Sequence, residues 1–100
     1  ALTEQYVLQQ LISEVGVLPY YYSTENSSGE IDFMVQGKTS VIPIEVKAEE
    51  NLRAKSLKMF CEKYHPKYAI RTSMSDYREQ EWMTNIPLYH IDRVKKYMEE

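Results

Sequence analysis

Apolar residues at Val7, Leu8, Leu11, Ile12 and Val15 recur three or four positions apart. That spacing predicts a helix from about Thr3 to Val15. Thr3 can cap its start and Gly16 can stop it. The period then shortens. Tyr20-Tyr21-Tyr22 is aromatic and favours a short strand, and Ser23 to Gly29 carries the Asn, Ser and Gly of a turn. From Glu30 to Val35 the chain alternates, with Ile31, Phe33 and Val35 on one face and Glu30, Asp32 and Met34 on the other. Gln36-Gly37-Lys38-Thr39 reads as a hairpin loop. Val41 to Lys47 is the next strand, with Ile42, Ile44 and Val46 on one face and Val41, Pro43, Glu45 and Lys47 on the other. Its nearly continuous apolar start predicts a central strand. Pro43 has no N–H to give a ladder, which predicts a bulge or break there.

Beyond Glu49-Glu50-Asn51 a second helix runs to about Tyr64, with Leu57, Phe60, Cys61 and Tyr64 as its buried stripe and Pro66 ending it. Tyr68 to Thr72 reads as a fourth strand, Ser75 to Met83 as a short helix, Ile86 to Ile91 as an extended segment and Val94 to Met98 as a terminal helical turn. Trp82, beside Met83, is expected to cover the core from this tail. The order helix, three strands, helix, strand defines an α/β fold. A meander followed by a helical crossover gives a mixed central sheet flanked by helices.

At 100 residues with 43% hydrophobic content, residues 1–100 suit one compact domain. No apolar run nears the length of about 20 residues that spans a bilayer, so no membrane partner is expected. The chain opens on Ala1 and enters a helical pattern at once, which suggests a domain excised from a larger parent. The single cysteine, Cys61, excludes an intramolecular disulfide and fits a reducing, cytoplasmic setting. A net charge of −3 argues against a protein that coats nucleic acid indiscriminately. Charge is uneven, however. Between Lys47 and Arg71, seven basic residues face three acidic ones, a local balance of +4. This stretch is either a solvated helix face or a rim that meets phosphates.

Asp32, Glu45 and Lys47 change the picture most. Charged groups inside apolar strands are costly unless they pair or hold a metal. Asp32 and Glu45 lie thirteen positions apart, a separation that two strands joined by a short hairpin can bring side by side. Lys47 leaves the strand on the same face as Glu45. Two carboxylates together repel, and a hard cation such as Mg²⁺, with a few carboxylate ligands and several waters, resolves that repulsion.

Glu30-Ile31-Asp32-Phe33 and Ile44-Glu45-Val46-Lys47 resemble the motif of the PD-(D/E)XK, or restriction-endonuclease-like, nuclease superfamily. The αβββαβ order resembles that superfamily's core. More narrowly, Gly29 to Phe33, Ile42 to Lys47, Lys55-Ser56-Leu57-Lys58 and Ile86-Pro87-Leu88-Tyr89 resemble the C-terminal domain of unknown function found behind an AAA+ ATPase module in bacterial and archaeal proteins. The resemblance runs from about Glu4 to Ile91. It implies that Asp32 and Glu45 bind Mg²⁺, or Mn²⁺ in its place, and that Lys47 assists the attacking water. Such sites often add a glutamate from the first helix, here Glu4. Ile31 stands where the motif's name has proline. No Gly-x4-Gly-Lys-Ser/Thr loop occurs, so ATP would belong to an N-terminal ATPase module of the parent chain.

Blander readings stand beside these. The strand charges could form a structural ion pair at a sheet edge. Glu30 could be a further ligand or a solvated strand end. Glu4 would be favoured in a first helical turn in any case. Cys61 lies on an apolar stripe, and His65 and His90 lack ligand spacing. Tyr20 to Tyr22 could stack on bases or pack one face of a strand. Two functions remain open. One is Mg²⁺-dependent hydrolysis of DNA phosphodiesters, with Arg53, Lys55 and Lys58 on phosphates. The other is a non-catalytic accessory module of the ATPase that binds nucleic acid or protein.

Overall fold

The computed structural model describes residues 2–22, 31–48 and 55–100. The turn expected over Ser23 to Gly29, and with it Glu30, the start of the second helix and Arg53, lie outside the described residues. Helix α1 spans Leu2–Gln10 and continues as a π-helical turn over Leu11–Val15. The strands are β1 (Tyr20–Tyr22), β2 (Ile31–Gln36), β3 (Val41–Lys47), β4 (Ile70–Ser73), β5 (Arg78–Glu79) and β6 (Thr84–Pro87). Helix α2 covers Lys55–Tyr64. A 3₁₀ segment, Leu88–Arg93, leads into α3, Val94–Met98. The fold is mixed α/β and carries the expected αβββαβ order.

One six-stranded sheet has the order β1-β2-β3-β4-β6-β5. The first three strands form an antiparallel meander. β3 pairs with β4, and β4 with β6, in parallel. A parallel pair cannot be closed by a tight turn and needs a crossover, and α2 lies in the connection between β3 and β4. On one face, Val7 and Leu11 of α1 pack with Phe33, Val35, Ile42, Ile44, Ile70, Ile86 and the C-terminal helices. On the other, Leu57 of α2 packs with Ile31, Met34, Ala69 and Met83. No helix among the described residues is long and apolar enough to cross a membrane.

Several expectations are corrected. Thr3 is not a helix boundary, because α1 already includes Leu2. Gly16 does stop the helix: its φ of 79° is left-handed, and its N–H meets the Leu11 carbonyl. Ile31 does not share a face with Phe33 and Val35. Tyr20 pairs with Met34 but Tyr22 with Ile31, so two β2 residues, Asp32 and Phe33, oppose Tyr21 alone. This β-bulge puts Ile31 in the same cluster as Met34. Pro43 causes no break and pairs in register with Met34. The Val46 N–H points toward β2, so at period two the N position of Pro43 points toward β4, whose ladder begins only at Ile44.

The helix expected over Ser75 to Met83 does not form. Met74, Tyr77 and Trp82 are exposed and offer no apolar face to bury. The segment folds instead as the short β5–β6 hairpin, closed by the Gln80 N–H on the Met83 carbonyl at 2.8 Å. The last extended segment ends at Pro87. Leu88, Ile91, Val94 and Tyr97 then recur every third residue and all are buried, a spacing that eclipses on a 3₁₀ helix and keeps one face on the core. Tyr64 is 49% exposed rather than part of the α2 stripe, and its ring rests on Phe60.

Candidate functional site

The polar groups gather at the C-terminal ends of the parallel strands β3, β4 and β6, the end at which open α/β sheets place ligands. The β2–β3 ladder runs from Gln36–Val41 to Phe33–Ile44 and then gives way. At the next step Asp32, carried by the bulge, accepts the Val46 N–H on its carboxylate at 2.7 Å. A side chain thereby satisfies a backbone donor that a strand carbonyl would otherwise meet. Glu45 is only 5% exposed. Its Oε1 lies 3.6 Å from the Lys47 ammonium. Its Oε2 is buried and has no hydrogen-bond partner among the described residues.

Glu4, in the first turn of α1, lies close enough to the Asp32 carboxyl to act on it electrostatically. Burial pushes the Asp32 pKa above its ordinary value. The Val46 N–H and Lys47 oppose the shift, and the Glu4 carboxyl adds to it. Burial also raises the pKa of Glu45, with Asp32 adding and Lys47 and Arg71 opposing. The structure therefore brings Asp32, Glu45, Lys47 and Glu4 into one cluster whose carboxylates are uncomfortable as bare anions. A cation would relieve both the repulsion and the unpaired Glu45 oxygen. Among the described residues, no group of three or more His, Cys, Asp or Glu side chains is arranged to hold a metal. The donor set suits an ion held by two carboxylates, Asp32 and Glu45, that keeps most of its water, as Mg²⁺ does.

Sequence reasoning missed a second set of residues. Glu45 pairs with Arg71, Arg71 with Asn85, and Asn85 with Arg78. These four residues form one polar row across β3, β4, β6 and β5. Asn85, fully buried, is its hub. Its Oδ1 accepts Arg71 Nε at 2.9 Å and Ser73 Oγ at 2.8 Å. Its Nδ2 donates to the Ser75 and Asp76 carbonyls at 3.1 and 3.0 Å. Arg71 is only 7% exposed. Burial and the nearby Arg78 lower its pKa, while Glu45 opposes the shift. The available signal was Arg71 inside the otherwise uncharged strand Ile70-Arg71-Thr72-Ser73.

Of the residues proposed for phosphate contact, Lys55 and Lys58 are exposed on α2, one turn apart, and Arg53 lies outside the described residues. The Cys61 thiol is pushed up to about 11, chiefly by burial, which leaves it protonated and unreactive at neutral pH. His65 is exposed just past α2, at a left-handed φ of 50°. Tyr21 rests on Phe33. A groove of about 490 Å³, lined by Tyr68, Trp82, Tyr97 and Glu100 among others, lies by the N-terminal ends of β4 and β6 and shares no residue with the carboxylate cluster.

Fold and site together define an α/β domain with a charged cluster at the carboxyl ends of its parallel strands. Residues 1–91 match a domain of unknown function, DUF4143, and the chain belongs to that family. No curated protein and no solved structure matches it.

Proposed function

We propose that this domain is a metal-dependent phosphodiesterase of the PD-(D/E)XK, restriction-endonuclease-like type, acting on DNA and working behind an ATPase module of its parent chain. The observation that carries the reading is the meeting of Asp32, Glu45 and Lys47 where β2 and β3 part, with one Glu45 oxygen on Lys47 and the other buried without a partner among the described residues. Asp32 and Glu45 would hold Mg²⁺ or Mn²⁺. When bound, that ion supplies an activated water and stabilises charge on the phosphate. Lys47 orients the attacking water and, as an ammonium fixed beside Glu45, faces the charge that develops on the phosphoryl oxygens. Glu4 braces Asp32 from α1. Water adds to phosphorus, one P–O ester bond breaks, and a phosphomonoester and an alcohol are released. Lys55 and Lys58, with Arg53, would meet the flanking backbone phosphates. ATP would be used by the ATPase module alone.

The net charge of −3 and the lack of a three-donor metal group among the described residues favour a second reading, an accessory module that binds nucleic acid or protein without cutting. One experiment separates the two. The protein is incubated with single-stranded, duplex and branched DNA in Mg²⁺ or Mn²⁺. Cleavage that falls by about 100-fold or more in Lys47→Ala and Asp32→Ala supports the enzyme. No cleavage of any substrate, with no heat of Mg²⁺ or Mn²⁺ binding by calorimetry, sinks it. DNA binding without cleavage favours the accessory module.

A further inference from the structure

We propose that the groove between the C-terminal end of α2 and the β1–β2–β3 meander binds a planar aromatic molecule that carries one anionic group. The site stands apart from the carboxylate cluster. Val41 opens β3 at its hairpin end, whereas Glu45 and Lys47 lie at the other end of the strand. The inference therefore does not rest on the nuclease reading.

The groove follows from how α2 covers the sheet. Leu57 seats the helix over Ile31, Met34, Ala69 and Met83, and the helix ends at Tyr64. The meander reaches past this cover and leaves a space of about 670 Å³, within the roughly 300–1,000 Å³ of small-molecule sites. Met34 and Val41 line it from β2 and β3, Tyr20 from β1, and Phe60 and Tyr64 from α2. Tyr20 is 47% exposed and Tyr64 49%, so both rings keep surface for a flat guest after their own contacts are made. Stacking on these rings and burial against the apolar side chains both favour an aromatic body.

The lining also sets the charge of the guest. The chain carries a net charge of −3, yet no carboxylate is found among the described residues that line this groove. Lys67 lines it and is exposed, and its ammonium has no ion pair among the described residues. The Tyr68 ring, 5.5 Å away, supplies no countercharge. Lys63 sets a second ammonium 5.2 Å from the centre of the Tyr64 ring. A cationic guest would meet repulsion here, and a purely apolar one would leave the lysine unused. An anionic group on Lys67, with its rings beside Tyr20 and Tyr64, uses both halves of the lining. Lys67 also borders the groove of about 490 Å³ by β4 and β6, so the test separates the two.

The test uses 1-anilinonaphthalene-8-sulfonate, an aromatic anion that fluoresces in apolar surroundings, and N-phenyl-1-naphthylamine, the same rings without the sulfonate. The anionic dye is expected to bind once per chain and about fivefold more tightly than the neutral one, the share of one exposed charge pair. Lys67→Ala should abolish that preference and leave the affinity of the neutral dye unchanged. Tyr20→Ala and Tyr64→Ala should each weaken both dyes by about three- to tenfold. Trp82→Ala, in the other groove, should alter neither. Thermal melts check that each variant is folded. Equal affinity of the wild type for the two dyes would overturn the assignment, as would no binding of either. So would binding that depends on Trp82 and not on Tyr20 or Tyr64. Competition then identifies the anion. Deoxyadenosine monophosphate displaces the dye if the site reads a phosphate, and indole-3-acetate displaces it if the site reads a carboxylate. Dye that neither displaces would overturn the ligand class.

Discussion

Replacing Asn85 by alanine should unfold this domain more readily than any other single change among its polar residues. The amide makes four hydrogen bonds of 2.8 to 3.1 Å, to Arg71 Nε, Ser73 Oγ and the carbonyls of Ser75 and Asp76. Its loss removes the acceptor of the Arg71 Nε–H, a charged donor that is nearly all buried. A hydrogen bond to a charged group is worth roughly 1.5–3 kcal/mol, and a neutral one about 1 kcal/mol. The two carbonyls are part-buried and regain some solvation from water, so they add less. The expected loss is about 3–5 kcal/mol, against a total stability of roughly 5–15 kcal/mol for a domain of this kind. Urea unfolding followed by the fluorescence of Trp82 measures it. With a slope of about 1.5 kcal/mol/M, the midpoint should fall by roughly 2–3 M while the slope stays the same. Asn85→Asp keeps the acceptor for Arg71 and Ser73 but turns a carboxylate oxygen toward two carbonyls. It should cost less, about 1–2 kcal/mol, because the arginine gains a charged partner. An alanine variant within about 1 kcal/mol of wild type would refute the hub.

The carboxylate cluster predicts an unusual pH dependence. Asp32 and Glu45 both have pKa values raised chiefly by burial, so without metal the folded chain holds their protons more tightly than the unfolded chain. Their contribution to stability is then full in acid and is lost as pH rises through the raised folded-state values. Asp32→Asn keeps an oxygen for the Val46 N–H and removes the charge. In EDTA at pH 7 it should raise Tm by a few degrees. A lower Tm would contradict the electrostatic reading. Mg²⁺ should stabilise the wild type by mass action and leave Asp32→Asn nearly unmoved, as read from Tm against ion concentration. At the other end of the sheet, a Cβ on Gly37 would stand 2.8 Å from the Ser40 carbonyl oxygen and 3.3 Å from the Met98 backbone. The Lys38 N–H also bonds the Met98 carbonyl at 2.6 Å there. Gly37→Ala should therefore cost about 1–3 kcal/mol in the same urea assay, and a neutral result would show that the hairpin and α3 can part freely.

Hydrophobic spacing made β3 and α3 legible to the residue, and α1, β2 and α2 nearly so, because each buries a regular face, while β1 was legible from its run of three tyrosines. The tail resisted for physical reasons. Of the apolar side chains in residues 75–83, Tyr77 and Trp82 end up exposed and Met83 alone is buried, so no period marked the short β5. The order β4-β6-β5 follows from parallel pairing between segments distant in sequence, and no local pattern encodes it. The turn at Leu88 was readable in principle from the spacing of Leu88, Ile91, Val94 and Tyr97, but Pro87 and the preceding Ile86 read equally well as strand.

The site divides along the same line. Asp32, Glu45 and Lys47 were visible because each interrupts an apolar strand, and a short hairpin fixes their partners locally. Arg71 interrupts its strand no less plainly, yet its meaning depends on Asn85, fourteen residues on and joined to it by a parallel register. The bulge at Asp32 and Phe33 was equally hidden, and it is what makes the site. In an unbroken antiparallel ladder Asp32 would sit opposite Glu45, with two like charges at cross-strand distance and both backbones satisfied by each other. With the extra residue, the pairing of β2 and β3 stops at Phe33, and the Asp32 carboxylate takes over the Val46 N–H. The strands part there, Glu45 keeps a buried oxygen without a described partner, and Lys47 bends back toward the other. A structural ion pair would not need the strands to separate. The cation site we propose does, because an ion held by both carboxylates must enter between Asp32 on β2 and Glu45 on β3.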